Sequence, residues 1–416
     1  MKSSYLNKLK IFNDPVYGFI NIPYEEIFDL IEDPYFQRLR RIKQLGLTQL
    51  VYPGALHTRF HHAMGAMYLM CEAIEILRFK GHDISEEEAM GVTIAILLHD
   101  IGHGPFSHSL ENSIVHEMNH EDLSLIFFDR LFQKYGNSLL IAKQIFNNQY
   151  PKKYLYQLVS GQLDMDRLDY LNRDCYFTGV SEGVISYDRI IKMLNIVDNK
   201  LVVDEKGVYS VEKFLIARRL MYWQVYLHKT VISAEKLLIN ILLRAKELSL
   251  SGEKLFATPS LTLFLSEKYT RKDFEANPEL LDKFAGLDDF DIMASIKVWT
   301  DHSDKILSKL CRNLLNRNLY KINIQRNPFD DSYVEKIKST TKKVLKISDE
   351  ELKYFVIEDT ARNNAYDPGI GNIMVLQKDG NLTDLSSASD YLNSNNLSKD
   401  VEKHFICFPK EIIQYL

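Results

Sequence analysis

Nine of the chain's twelve histidines lie between residues 57 and 120, and no other feature limits the fold as tightly. Packing alone does not gather so many imidazoles into so short a stretch. The centre of the cluster reads Leu97-Leu98-His99-Asp100-Ile101-Gly102-His103-Gly104-Pro105-Phe106-Ser107-His108. An apolar helical run ends in an adjacent His-Asp pair, and the segment Gly102 to Pro105 must break the helix just beyond it. The chain therefore has to fold so that a helix end delivers an imidazole and a carboxylate to one place. The glycines allow backbone and substrate to approach where a Cβ would obstruct.

The rest of the pattern is largely helical. Residues 25–45 carry apolar side chains at three- and four-residue spacing, and Pro34 divides them into two shorter helices. A loop with Pro53-Gly54 leads to a helix from about Phe60 to Lys80. Ser85-Glu86-Glu87-Glu88 is a capping box opening a helix to His99. Helical pattern resumes near Phe106 and again over 121–134, 152–175 and 211–248, and it dominates to about residue 318. Leu201-Val202-Val203 and Val208-Tyr209 flank Asp204-Glu205-Lys206-Gly207, which reads as a β-hairpin turn. Strands are expected at 320–324, 354–357, 373–376 and 405–408, with helices over 331–346 and 386–393. The expected fold is mainly α: a helical body over 1–318, and a small C-terminal α+β subdomain over 319–416.

Composition narrows the function classes. With 46% hydrophobic residues there is ample material for a sizeable core. A formal net charge of -5 argues against general nucleic-acid binding, which rests on phosphate neutralisation. The four cysteines, Cys71, Cys175, Cys311 and Cys407, are too scattered for a zinc knuckle or a disulfide framework. They are read as buried or incidental free thiols, which fits the cytoplasm. MKSSYLNKLKIFNDP contains no apolar h-region, and no stretch is apolar enough to span a bilayer, so neither a signal peptide nor a membrane span is expected.

A lone His-Asp pair is weak evidence, because most such pairs are solvated or hydrogen-bonded surface groups. The flanking segments strengthen it. His57-Thr58-Arg59-Phe60-His61-His62 adds an imidazole upstream. Gln162-Leu163-Asp164-Met165-Asp166-Arg167-Leu168-Asp169-Tyr170 adds a carboxylate downstream. Four ligands, His62, His99, Asp100 and Asp166, would leave coordination positions open for water and a phosphate oxygen, as a catalytic site requires. Imidazole with carboxylate suits Mn, Fe, Zn or Ni, and Mg stays within the set of divalent ions. His103, His108 and His120 are left for proton transfer, with Glu121 and Glu111 available to orient them. Taken singly, His103 and His108 would pass as core or capping groups. His82, His116, His228, His302 and His404 are read that way, His57 is left open, and His61 should face away from the metal. Arg59, Arg167 and Arg218 could grip phosphates, although spacing alone does not bring Arg218 to the cluster.

These residues carry a family resemblance. The order His62, His99-Asp100, Asp166 is the H…HD…D pattern of the HD superfamily. Asp14-Pro15-Val16-Tyr17-Gly18, Phe36-Gln37-Arg38-Leu39-Arg40, Lys43-Gln44-Leu45-Gly46, Thr58-Arg59-Phe60 and Asp169-Tyr170-Leu171-Asn172-Arg173-Asp174 resemble the deoxynucleoside triphosphate triphosphohydrolases within it. The resemblance covers about residues 10–250 and implies an HD core at about 45–250. It implies hydrolysis of a dNTP to a deoxynucleoside and inorganic triphosphate by attack at the α-phosphorus. His62, His99, Asp100 and Asp166 would hold a divalent metal ion. His103, His108 and His120 would serve the α-phosphate and proton transfers, with Glu121 paired to His120. Arg59, Arg167 and Arg218 would grip the triphosphate, and Gln44 and Asp174 would bond the sugar 3′-hydroxyl. Tyr170 and Tyr226 would crowd a ribose 2′-hydroxyl. Lys10, Gln37 and Arg40 match an activating nucleotide site between subunits, where Glu32 replaces a common aspartate. A homo-oligomer, dimer or tetramer, is implied as well.

Two other readings compete. One is an HD phosphohydrolase on nucleoside monophosphates or another phosphoester, which needs the ligands but not a long cationic pocket. The other is a nucleotide sensor without catalysis, which needs no such set of spare histidines.

Overall fold

The computed structural model describes residues 10–106, 118–363, 371–389 and 401–416. Its fold is mainly α, with small sheets at the N-terminal edge, beside the body and in the C-terminal part. Helices α1 (Glu25–Ile31) and α2 (Pro34–Gln37) are parted where Pro34 predicts. Asp33 caps α2 by accepting the Tyr35 amide at 2.9 Å, and Pro34 sits at the first helical position, where its missing N–H is no loss.

Two long core helices follow, α3 (Arg59–Phe79) and α4 (Glu86–Leu98). The capping box at Ser85 forms as expected: Ser85 Oγ accepts the Glu88 amide at 3.1 Å, and Glu88 Oε2 accepts the Ser85 amide at 2.9 Å. From Ala89 to Leu98 almost every side chain of α4 is buried. A helix apolar all round belongs in the centre of a body, and α4 lies there against α3. Around this pair run α5 (His120–Tyr135), α6 (Leu140–Phe146), α7 (Lys153–Val159), α8 (Met165–Thr178), α9 (Tyr187–Met193), α10 (Val208–Met221) and α11 (Lys229–Leu250). The segment expected as one helix over 152–175 is two, α7 and α8. The segment expected over 211–248 is α10 and α11, joined through a π-turn at Tyr222–Tyr226.

The predicted hairpin is in the wrong place. Strand β3 (Leu194–Val197) pairs with β4 (Lys200–Asp204), and the turn is Asp198-Asn199. Both turn residues have left-handed backbone, φ 49° and 61°, the geometry of a two-residue hairpin turn that matches strand twist. Glu205–Gly207 is a 3-10 turn and Val208 already opens α10. The sequence reading has no place for the N-terminal hairpin, β1 (Ile11–Asp14) with β2 (Gly18–Asn21). The strand expected at 354–357 runs instead over Ile357–Asn363. The Tyr354 carbonyl is already taken by Tyr320 Oη at 2.5 Å and Asn240 Nδ2 at 2.8 Å, so it is lost to a ladder. Of the helix expected over 386–393, one turn at Leu385–Ala388 is described.

In the C-terminal part, Lys321–Gln325 and Ile357–Asn363 flank Val401–Phe408 in an antiparallel sheet. Met374–Leu376 joins β4 in parallel, with Val203 opposite Val375. Apolar side chains of this part, among them Tyr320, Phe355, Phe405 and Cys407, pack into the same core as the helices. The four cysteines are free thiols. Among the described residues no helix is long and apolar enough to cross a membrane.

Candidate active site

The helix ends that the histidine string demands meet at one point. His62 lies in the first turn of α3 and is fully buried. His99 is the C-cap of α4, and Asp100 follows it. Asp166 is at the second position of α8, whose N-cap Asp164 accepts the Arg167 amide at 2.7 Å. His62 Nε2 stands 3.3 Å from His99 Nε2, 3.2 Å from Asp166 Oδ1 and 3.7 Å from Asp100 Oδ2. His99 Nε2 is 3.5 Å from Asp166 Oδ1 and 3.4 Å from Asp100 Oδ1. Donors about 2.1 Å from one ion are about 3.0 Å apart at a right angle and about 3.4 Å apart at the tetrahedral angle. The separations among His62, His99 and Asp166 are those of ligands around a single cation, and Asp100 stands beside them, meeting His62 and His99 with different oxygens.

Electrostatics point the same way. Burial alone would lower the proton affinity of His62, but the carboxylates of Asp166 and Asp169 outweigh it and push its pKa up to about 10. His99 is raised too, against burial, by Asp100 and Asp166. Burial works against ionisation of Asp166 and Asp100 as well. Hydrogen bonds from His62 and His99 hold Asp166 far below the usual carboxylate range, and the charges of His103, His99 and Arg59 do so for Asp100. The cradle stabilises positive charge at its centre. His99 presents Nε2 because its Nδ1–H donates to the Ile96 carbonyl at 2.6 Å.

Beside the cradle, Asp100 Oδ1 lies 3.4 Å from His103 Nδ1, and Arg59 Nη1 donates to Asp100 Oδ2 at 2.5 Å. The His103 ring stacks on His120 at 3.8 Å between centroids. Gly102 makes this approach feasible, since a Cβ there would stand 2.2 Å from the His120 carbonyl oxygen. Glu121, expected to pair with His120, is exposed, and the described residues show no hydrogen bond between them. His108, Glu111 and His116 lie outside the described residues. His61 faces away as expected, and its Nδ1 accepts the Thr58 amide at 3.1 Å. His228 and His302 accept the amides of Thr230 and Asp304, and His82 bonds Asn195, all away from the cradle.

A second wall adjoins the first. Arg167, next to the ligand Asp166, donates to the Gly161 carbonyl at 2.5 Å and pairs with Asp164. Tyr170 feels the charges of Arg218, Arg167 and Asp166, so Arg218 does reach this region. Arg218 also lies over the Tyr222 ring at 5.9 Å. Tyr170 meets Tyr226 edge-on at 6.1 Å. Tyr226 Oη donates to Asp174 Oδ2 at 2.7 Å, and His57 Nε2 donates to Asp174 Oδ1 at 2.7 Å. The Gln44 amide donates to the His57 carbonyl at 3.0 Å. Gln44 Oε1 is buried with no hydrogen-bond partner among the described residues. The π-turn sets Tyr222 and Tyr226 on this wall, a use such turns often have.

Glu32, Gln37 and Arg40 form a separate, mostly exposed group, and Lys10 is exposed as well. Lys10 Nζ sits 2.8 Å above the Phe28 ring, Arg40 Nε donates to Gln37 Oε1 at 2.9 Å, and Arg40 lies over Phe60 at 3.6 Å. Glu32 adds an opposite charge for Arg40.

Several residues given no role in the sequence reading hold the site. Asp169 bonds His62, and His57 bonds Asp174. Arg38, 1% exposed, donates through Nη2 to the carbonyls of Ile101 and His103, each at 2.8 Å. Asp289 accepts the amides of Phe106 at 3.2 Å and Lys43 at 3.0 Å. Their signals are absent from local patterns, because each partner is dozens to hundreds of residues away.

The helical fold and its cation cradle define a class, the metal-dependent phosphohydrolases of the HD type. Known proteins agree. The HD domain family matches residues 59–174, and the HD associated region matches 185–256. A crystal structure of a phosphohydrolase from Bacteroides thetaiotaomicron superposes with a TM-score of 0.94 at 50% identity, covering 97% of this chain and 100% of that one. The Bacillus subtilis protein YwfO is 34% identical over 98% of this chain and 94% of its own length. The human deoxynucleoside triphosphate triphosphohydrolase SAMHD1 is 29% identical over 76% of this chain and 55% of that protein. The chain belongs to the HD-domain phosphohydrolase family.

Proposed function

We propose that this phosphohydrolase cleaves deoxynucleoside triphosphates to a deoxynucleoside and inorganic triphosphate, and that it works in the cytoplasm. The observation that carries the reading is the wall built from Tyr170, Tyr226 and Asp174 beside the metal cradle. A simple phosphoester site has no use for a buried carboxylate framed by two tyrosines. A sugar does: Asp174 would accept the 3′-hydroxyl proton, with the Gln44 side-chain NH2 donating to the hydroxyl oxygen. The tyrosines would leave no room for a 2′-hydroxyl, although packing alone discriminates modestly. The naming of SAMHD1 as a dNTP triphosphohydrolase supports the same substrate.

His62, His99, Asp100 and Asp166 would hold the divalent ion. With the ion bound, the centre supplies a more acidic water and a polarised phosphoryl oxygen. The chain's own groups do the rest. Arg59, Arg167 and Arg218 would neutralise the triphosphate and fix it in line. Water adds to the α-phosphorus, the bond to the 5′-oxygen breaks, and that oxygen takes up a proton. His103 and His120, stacked together, would move the protons, with His108 nearby in sequence. Lys10, Glu32, Gln37 and Arg40 would receive an activating nucleotide in a homo-oligomer, dimer or tetramer.

Product analysis across the four dNTPs and GTP, with and without Mn, tests the reading. Triphosphate release from dNTPs, with little from GTP, is the expected result. Orthophosphate or pyrophosphate release would favour the monophosphate or phosphoester reading, and tight binding without turnover would favour the sensor.

A further inference from the structure

His62 uses one ring nitrogen at the cradle. The other, Nδ1, donates to Asp169 Oδ2 at 2.7 Å. Asp169 is completely buried, one turn before Arg173 on α8, and Arg173 is completely buried as well. The guanidinium takes both carboxylate oxygens, Nε to Oδ2 at 2.9 Å and Nη2 to Oδ1 at 2.9 Å. Its Nη1 reaches Asp14 Oδ2 at 2.7 Å. Asp14 in turn closes the N-terminal hairpin by accepting the amides of Val16 at 2.9 Å and Tyr17 at 3.0 Å. The chain of contacts thus runs from the hairpin turn through two helices to a metal ligand, hydrogen-bonded throughout and buried from Asp14 to His62.

The arrangement has a physical purpose. An aspartate facing Nδ1 keeps the imidazole proton there and leaves the Nε2 lone pair for a cation. An aspartate alone so close to Asp100 and Asp166 would be repelled and badly desolvated, and the shared arginine offsets that cost on two sides. Gly65 supplies the clearance. A Cβ at that position would lie 2.1 Å from both Asp169 Oδ1 and Arg173 Nη2.

We infer that Asp169, Arg173 and Asp14 are positioning residues of the metal centre, a buried relay that fixes the tautomer of His62 and ties it to the N-terminal hairpin, with Gly65 providing its clearance. The inference rests on the metal cradle and not on the identity of the substrate.

Mn binding to the metal-stripped full chain, without nucleotide, is the test, measured calorimetrically well below each variant's melting temperature. Asp169→Asn should weaken Mn binding about 10–100-fold, the usual effect of removing such a partner. Gly65→Ala removes no polar atom and should still weaken Mn binding by about tenfold, because it displaces both partners of the relay. Asp14→Asn, two links away, should cost a few-fold. The ¹⁵N shift of His62 Nδ1 in the Zn-loaded protein should move in Asp169→Asn, because the carboxylate that takes its proton is gone. Wild-type Mn affinity in folded Asp169→Asn or Gly65→Ala would overturn the relay. If both fail to fold, unchanged affinity in Asp14→Asn overturns it, and a few-fold weakening there supports it. Failure of dNTP turnover with normal Mn binding would count against the substrate and leave the relay standing.

Discussion

The metal cradle and the cluster at Lys10, Glu32, Gln37 and Arg40 are two charged groups of similar size held by opposite means. In the cradle, His62, His99 and Asp100 are each fixed by a further partner that is itself buried. In the edge cluster, Lys10, Glu32 and Arg40 are exposed; Lys10 rests on the Phe28 ring, and Arg40 on the Phe60 ring and Gln37. The first is complete within one chain and needs only an ion. The second displays its charge toward solvent, where pairs contribute little to stability, and under the proposed function it would be half of a nucleotide site. A folding unit can carry a preorganised buried site and an open charged surface side by side.

Mutation and pH can break or sharpen that contrast. The largest effect should come from His99→Ala: loss of metal and a fall in turnover of at least about 10²–10³-fold, the scale of removing charge stabilisation at one reacting position. Full turnover in the metal-depleted variant would refute the mechanism. Next is pH. A cation must displace the proton that His62 holds up to about pH 10, so Mn affinity should rise as pH rises, about tenfold per unit for each proton released. In the metal-free protein the sign reverses. The folded-state pKa is raised, so the stability it brings is full below about 6.5 and lost as pH climbs through about 10. Melting of the stripped protein between pH 6 and 10 would reveal it. Arg218→Ala should raise KM for a dNTP by roughly tenfold, the value of a charge-assisted contact, with metal content unchanged. Unaltered affinity would remove Arg218 from the pocket. The smallest effect is expected from Arg40→Ala, a stability change under about 1 kcal/mol and no change in Mn binding. A marked loss of Mn would collapse the distinction between the two regions.

What could be read from the sequence follows the range over which the physics acts. The Ser85 box, the division at Pro34 and the helix break after Asp100 are local, and they appear where the residues say. Three of the four expected donors, His62, His99 and Asp166, come together at one point, and imidazole and carboxylate at helix ends are what made them legible. The hairpin at β3–β4 was misplaced because Glu205-Lys206-Gly207 has turn composition, while Asp198-Asn199 carries the left-handed pair. The residues holding the site in register were invisible. Asp14 and Arg173 are 159 positions apart, and Asp289 stands 183 from Phe106. No periodicity links such partners, and only the folded topology brings them together.

The π-turn at Tyr222–Tyr226 has a consequence for how such enzymes diversify. It carries one residue more than the regular helix it interrupts, and each residue of helix turns the chain by about 100°. Deleting a single codon there would let α10 run on regularly and swing Tyr226 away from Asp174, while α3, α4 and α8 kept their ion. The wall beside the cradle can therefore be rewritten by the smallest in-frame change a gene can suffer, without touching the metal-binding residues.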